Sequence, residues 1–309
     1  MFQRALVLSA GWGTRLRPLT FFRPKVLMPV GGKTLLERWL SHLDGCDEIF
    51  VNAHALSPLL HEHVKAMHFN YGHLRTFHEP RILGSGGSLF AMSRAFPNEW
   101  MIAVNGDTFF SRPELKFIFS QIDYETPSVY LVLRNESRFN NIIVDAEGFV
   151  RHIRKSFLNE TELARGYRVL AYTGVQIFHT DLLVHYGAML AKRLEPAYSS
   201  VPFMDVMEIY TMMIDDSVPV RYLEINDGLW CDVGTIKRYI DLCLAVCDGV
   251  MAGKDVILEP GIEVSSTILW DGVRIKSGSK LDKCIVTDGV IVDGMYQRAI
   301  ITHCGVWKL

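Results

Sequence analysis

An apolar run, Ala5-Leu6-Val7-Leu8, opens after two residues into Gly11-Trp12-Gly13-Thr14-Arg15-Leu16-Arg17-Pro18-Leu19-Thr20, with Pro24-Lys25 just beyond. A strand that empties into a glycine-punctuated turn lets backbone N–H groups approach an anion with no Cβ in the way. Between residues 11 and 33 the ionisable side chains are Arg15, Arg17, Arg23, Lys25 and Lys33, all basic. Five like charges with no acid among them call for an anion, so the stretch reads as a phosphate site. Solvated arginines on an ordinary turn would explain Gly-x-Gly alone, but not the basic run.

Two commoner phosphate motifs are excluded by single positions. Gly31-Gly32-Lys33-Thr34 has the tail of a Walker A loop, yet position 27, where that motif needs its first glycine, is Leu. The dinucleotide fingerprint needs a third glycine where the helix packs on the strand, and Leu16 stands there. Hydride transfer is therefore disfavoured.

Downstream, strand-like runs at 49–51, 73–78, 101–104 and 129–133 alternate with helical ones. Ser57-Pro58 marks one helix start, and Ser111-Arg112-Pro113-Glu114 has capping-box spacing for another. Such alternation predicts an α/β fold, a Rossmann-like, mostly parallel sheet with helices on both faces, whose ligands sit beyond the carboxyl ends of the strands. The 11–13 turn, the glycine-rich 84–87 loop and Asn105-Gly106-Asp107 all fall at such ends.

From about residue 253 the helices stop. Ile268, Val273, Ile275, Leu281, Ile285, Val290 and Ile291 recur among small turns at loose multiples of five or six. The change marks one domain over 1–252 and, over 253–309, a segment that resembles two or three coils of a short hexapeptide-repeat left-handed β-helix. So few coils bury little alone and leave an open end, which implies packing on the rest of the chain or self-association as a homo-oligomer. The segment is expected to serve packing rather than chemistry.

The net charge of −2 over 309 residues gives no global reason to expect nucleic acid, so the basic run is a local device. No apolar stretch approaches the ~20 residues of a membrane span, and none reads as a signal peptide. Six cysteines stand singly among apolar neighbours, as reduced thiols of a cytoplasmic protein would. Cys243 and Cys247 share a helix face, but no second pair has matching spacing for zinc.

The string GWGTRLRPLTFFRPKVLMPVGGKTLLERWL resembles the signature of sugar-1-phosphate nucleotidyltransferases nearly position by position. The likeness continues through His78-Glu79-Pro80 with Leu83-Gly84-Ser85-Gly86-Gly87, Val104-Asn105-Gly106-Asp107, Tyr172-Thr173-Gly174-Val175 and Trp230-Cys231-Asp232-Val233-Gly234-Thr235. It covers about residues 1–248, and within the family it is similar to mannose-1-phosphate guanylyltransferases and N-acetylmuramate-1-phosphate uridylyltransferases. The resemblance implies a nucleotidyltransferase catalytic domain over 1–252 with a nucleoside triphosphate and a sugar 1-phosphate as substrates and Mg²⁺ as cofactor; the alternative is a catalytically silent relative that binds nucleotide-sugar and regulates a partner, which has no chemical need to keep Arg15, Lys25, Asp107 and Asp232. Gly11, Gly13 and Thr14 would hold the triphosphate, Arg15 the departing phosphates, and Lys25 the reacting ones. Asp107 and Asp232 would bind the metal, and Asn105, Asn140, Asn141 and Gly174 the sugar phosphate. Glu79, Gly84, Gly86 and Gly87 would read the base, leaving GTP and UTP both open. A carboxylate accepting from a guanine edge would favour GTP, and backbone contacts alone would leave UTP open. Arg154-Lys155-Ser156 stands where the family commonly has Glu-Lys-Pro, so the sugar is the least specified substrate.

Overall fold

The computed structural model describes residues 3–54, 57–67, 73–195 and 200–309. The chain divides into two compact units, one from Met1–Gly11 and Trp39–Trp230, the other from Trp12–Arg38 and Cys231–Leu309. Trp12–Arg38, which carries Gly13, Thr14, Arg15 and Lys25, thus belongs to the same unit as the C-terminal coils.

The first unit is built on a nine-stranded sheet. We number its strands β1 (Arg4–Leu8), β2 (Glu48–Ala53), β3 (Leu74–His78), β4 (Trp100–Asn105), β5 (Val129–Arg134), β6 (Ile142–Val144), β7 (Val150–Ile153), β8 (Arg168–His179) and β9 (Val220–Glu224). The order β3-β2-β1-β4 is parallel throughout, with Val7 opposite Val51 and Val104. The long β8 then runs antiparallel to β4, β5 and β6, and β9 adds to β5 in parallel. Both faces of β1 are covered. Leu6 joins a core with Met101, Ala103, Phe178 and helical Leu89, Phe90 and Ile209, while Ala5 and Val7, pointing the other way, are equally buried. A strand covered on both faces has no polar side, which is why Ala5–Leu8 reads as a continuous apolar run.

Helix α1 (Ser57–Met67) starts at the predicted Ser-Pro, with the Ser57 side chain outside the described structure, and α2 (Gly84–Ala95), α3 (Thr180–Leu194) and α4 (Val206–Asp215) pack on the sheet. The predicted capping box at 111–114 does not form. Its helix starts at Leu115 with no side-chain cap, and Ser111 Oγ instead accepts from the Leu229 N–H at 2.9 Å.

In the second unit the coils form three ladders of short parallel strands. Ile257 pairs with Arg274 and Arg274 with Ile291, a step of 17 residues that shortens to 15 at Lys280–Met295. Leu269, Val273, Ile275, Leu281, Val286 and Val292 fill the interior. The first strand, Val250–Ala252, begins slightly ahead of the predicted start, and Gly305–Lys308 closes the far end by folding back antiparallel on Ala299–Thr302. Helix α5 (Ile236–Val246) and residues 12–38 complete the unit: the Trp270 indole N–H donates to the Tyr239 hydroxyl at 3.0 Å, which donates to the Pro29 carbonyl at 2.8 Å. Among the described residues no helix is long and apolar enough to cross a membrane.

Candidate active site

The residues expected to hold phosphate divide between the units. Gly11 ends the first unit's opening segment, exposed, with open space where a Cβ would be. Beyond it Gly13 takes φ +60°, and a Cβ there would come within 2.8 Å of the Thr20 methyl. Its carbonyl accepts from Thr20 Oγ1 and the Leu16 N–H, both at 2.9 Å. These bonds wind Thr14–Leu16 into a 3-10 turn whose buried anchor is Leu16, leaving Thr14 and Arg15 exposed. The side chain that breaks the dinucleotide fingerprint is the one that seats this turn. Lys25, half-buried, opens a further 3-10 turn, Lys25–Leu27, seated by buried Val26 and Leu27.

Asp232 lies in the same unit just before α5. Arg238 Nη1 donates to its Oδ2 at 2.6 Å, while Thr235 caps the helix by accepting from the Arg238 N–H. A Cβ on Gly234 would stand 3.1 Å from both Asp232 carboxylate oxygens, so glycine keeps that side of the carboxylate clear.

In the first unit Asp107 occupies the turn between β4 and strand Thr108–Phe110, whose start is pinned by the Gly106 N–H donating to Leu8 at 2.9 Å. The structure brings Asn105 and Gly174 together: a β-bulge in β8 sets Gly174 at φ +91°, where a Cβ would be 3.0 Å from that of Asn105. Asn141 is exposed at the start of β6. Asn140 instead stitches its loop, donating to the Val169 carbonyl at 2.8 Å and accepting from the Glu136 N–H at 2.9 Å.

The expected base-reading residues turn inward. Glu79 is 1% exposed, and its carboxylate accepts from Asn52 Nδ2 at 2.7 Å, the Ser88 hydroxyl at 2.6 Å and the Leu83 N–H at 3.3 Å. Its backbone is also engaged, the N–H with the Ala53 carbonyl and the carbonyl with His54 Nδ1 at 3.0 Å. The carboxylate that would accept from a guanine edge is thus committed to the protein, and the argument for guanine over uracil that rested on it falls. Residues 84–87 are not an open loop but the first turn of α2. The Gly86 N–H donates to the Met204 carbonyl at 2.9 Å, and a Cβ on Gly86 or Gly87 would meet backbone of the 202–206 segment at 2.9 Å. Those two glycines admit a neighbouring chain segment.

Sequence reasoning missed Asn52. Its Oδ1 accepts from the backbone of Ser9 and Ala10, while its Nδ2 donates to Glu79 and to Ser88 at 3.1 Å. One buried amide therefore ties the run-in to Gly11 to the residues flanking the first turn of α2. The signal was a polar residue inside the apolar run 49–53, which a buried strand tolerates only when its hydrogen bonds are met.

A family model described as nucleotidyl transferase matches residues 4–249, and the chain belongs to that family. A Sulfolobus acidocaldarius protein assigned as a mannose-1-phosphate guanyltransferase is 26% identical over 238 residues, 72% of this chain; the match spans 62% of that relative's length, less than two thirds. The N-acetylmuramate alpha-1-phosphate uridylyltransferase of Caulobacter vibrioides is 44% identical over 64 residues, 20% of this chain and 26% of the relative. Among solved structures, the CTP:phosphocholine cytidylyltransferase of Streptococcus pneumoniae superposes with a TM-score of 0.59 at 18% identity, covering 80% of this chain and all of that one, a likeness of fold.

Proposed function

We propose that the protein transfers a nucleoside monophosphate from GTP or UTP to a sugar 1-phosphate, releasing pyrophosphate. The observation that carries this reading is the 3-10 turn after Gly13, which presents Arg15 to solvent inside a region of matching family sequence. In the reaction a phosphate oxygen of the sugar 1-phosphate attacks the α-phosphorus in line, and the bond to the bridging oxygen of pyrophosphate breaks. Such chemistry asks a protein for position and charge. Backbone N–H groups of Gly11 to Gly13 hold the triphosphate, and the Arg15 fork neutralises the β- and γ-phosphates as charge builds on the leaving group. Lys25 acts as a point charge on the reacting phosphates. Asn105, Asn141 and Gly174 are the positions for the sugar phosphate.

Asp107 and Asp232 offer the hard carboxylate oxygens that Mg²⁺ takes, and Arg238 orients the second of them. Each of the two would serve as a carboxylate ligand for Mg²⁺, which when bound would supply charge neutralisation to the substrate phosphates.

The relatives support mannose 1-phosphate with GTP as the first pair to try and N-acetylmuramate 1-phosphate with UTP as the second. The deciding experiment is a matrix of GTP, UTP, CTP, dTTP and ATP against several sugar 1-phosphates, scored by pyrophosphate release. Turnover led by GTP or UTP supports the reading, and no turnover with any pair refutes it.

A further inference from the structure

One cation of the basic run has a task other than phosphate. Arg23 is clasped within its own unit by two carboxylates. Its Nε and Nη2 donate to the two oxygens of Asp288 at 2.6 Å, and Nη2 also reaches Asp271 Oδ2 at 2.6 Å. The remaining nitrogen, Nη1, donates to the Leu27 carbonyl at 3.3 Å, the last residue of the turn that Lys25 opens. The guanidinium carbon sits 5.3 Å from the Trp270 ring centroid, and the side chain is 17% exposed.

The two aspartates occupy one position of successive coils. Each heads an Asp-Gly-Val turn, 271–273 and 288–290, one coil step apart, and the Gly289 N–H donates to the Asp271 carbonyl at 2.8 Å. Carboxylates stacked in this way repel each other unless a cation lies between them, and only a planar fork spans both while still reaching a carbonyl. A bridge serving stability alone could end anywhere on residues 12–38. This one closes the Lys25 turn.

We propose that Arg23, Asp271 and Asp288 are positioning residues for the transfer reaction: the paired carboxylates of the coil fix Arg23, and Arg23 fixes the turn that sets the Lys25 ammonium. The proposal rests on the role given to Lys25 above, and it gives the coil a part in turnover beyond the packing expected of it.

The test uses the full chain with Arg23→Met, Arg23→Lys, the double variant Asp271→Asn/Asp288→Asn, Lys25→Ala, and Lys25→Ala combined with Arg23→Met. Pyrophosphate release is measured per folded molecule, together with amide hydrogen exchange over residues 19–28. We expect Arg23→Met and the Asp double variant to lower kcat about tenfold or more with the KM for nucleotide held within about threefold, because misplacement acts on the reacting geometry. Arg23→Lys should recover little of that loss. On a Lys25→Ala background Arg23→Met should cost under about twofold, since the group it positions is gone, whereas a merely structural bridge would cost the same in both backgrounds. Exchange at Leu27 and Met28 should quicken in Arg23→Met. An unchanged kcat in folded Arg23→Met, or equal losses in the two backgrounds, overturns the proposal. If the parent releases no pyrophosphate with any substrate pair, the transferase reading fails separately; exchange then decides, quickened exchange supporting the clamp on the turn and unaltered protection overturning it.

Discussion

Replacing Asn52 with Ala should be among the most damaging single changes to the first unit. Asn52 is 2% exposed, and its amide serves four partners: the N–H groups of Ser9 and Ala10, the Glu79 carboxylate and the Ser88 hydroxyl. Truncation leaves the Ala10 N–H buried without an acceptor, at about 1–3 kcal/mol, and takes a donor at 2.7 Å from a buried carboxylate, at about 1.5–3 kcal/mol. The sum, about 2.5–6 kcal/mol, is a large part of the ~5–15 kcal/mol that separates folded from unfolded proteins. Urea unfolding followed by circular dichroism reads it as a lower midpoint with an unchanged slope. Asn52→Leu serves as the control, because it refills the volume but restores no hydrogen bond. If Leu recovers most of the loss, packing rather than polar satisfaction holds this part of the fold. A loss under about 1 kcal/mol in both variants would refute the reasoning outright.

Asp107→Asn and Asp232→Asn are each expected to cut pyrophosphate release by about two orders of magnitude or more across a Mg²⁺ titration; rates within about threefold of the parent would remove both from the metal site. Arg15→Lys keeps the charge but loses the fork, and should slow turnover about tenfold or more with folding intact; full activity would show that bidentate contact is not needed there. Gly174→Ala forces a side chain into φ +91° and a Cβ to 3.0 Å from that of Asn105, so both thermal stability and turnover should fall; a neutral result would mean the bulge relaxes. Burial, aided by Asp47, pushes the Cys46 thiol from near 9 up to about 11. Its thiolate is thus suppressed through pH 8–10, so iodoacetamide at pH 8 should label exposed Cys304 first and reach Cys46 only as the pH approaches 11 or the chain unfolds; equal labelling of the two at pH 8 would contradict that burial.

Strands β1 and β4 were legible because their covered residues form nearly continuous apolar runs, and the turn expected to hold phosphate because glycine and a run of basic residues are local signals. The antiparallel course of β8 was not, since strand direction leaves no mark on composition. The role of residues 84–87 was misread for a physical reason: glycine that lets a ligand approach and glycine that lets another backbone approach look alike in a sequence. Glu79 misled similarly, because the partners that satisfy its carboxylate, Asn52 and Ser88, come from other elements. The two Asp-Gly-Val turns could be read directly, but their cation lies 248 and 265 residues away, and no local pattern announces such a pairing.

The second unit is assembled from two stretches of chain with residues 39–230 of the first unit between them. During synthesis residues 12–38 leave the ribosome early, carrying Arg23 and Pro29, whose partners Asp271, Asp288 and Tyr239 have yet to be translated. Only when the coils follow can Arg23 reach Asp271 and Asp288, so the clamp on the Lys25 turn closes late in the life of the nascent chain. Ribosome-bound chains stalled before and after residues 271–288 offer a direct way to watch it close.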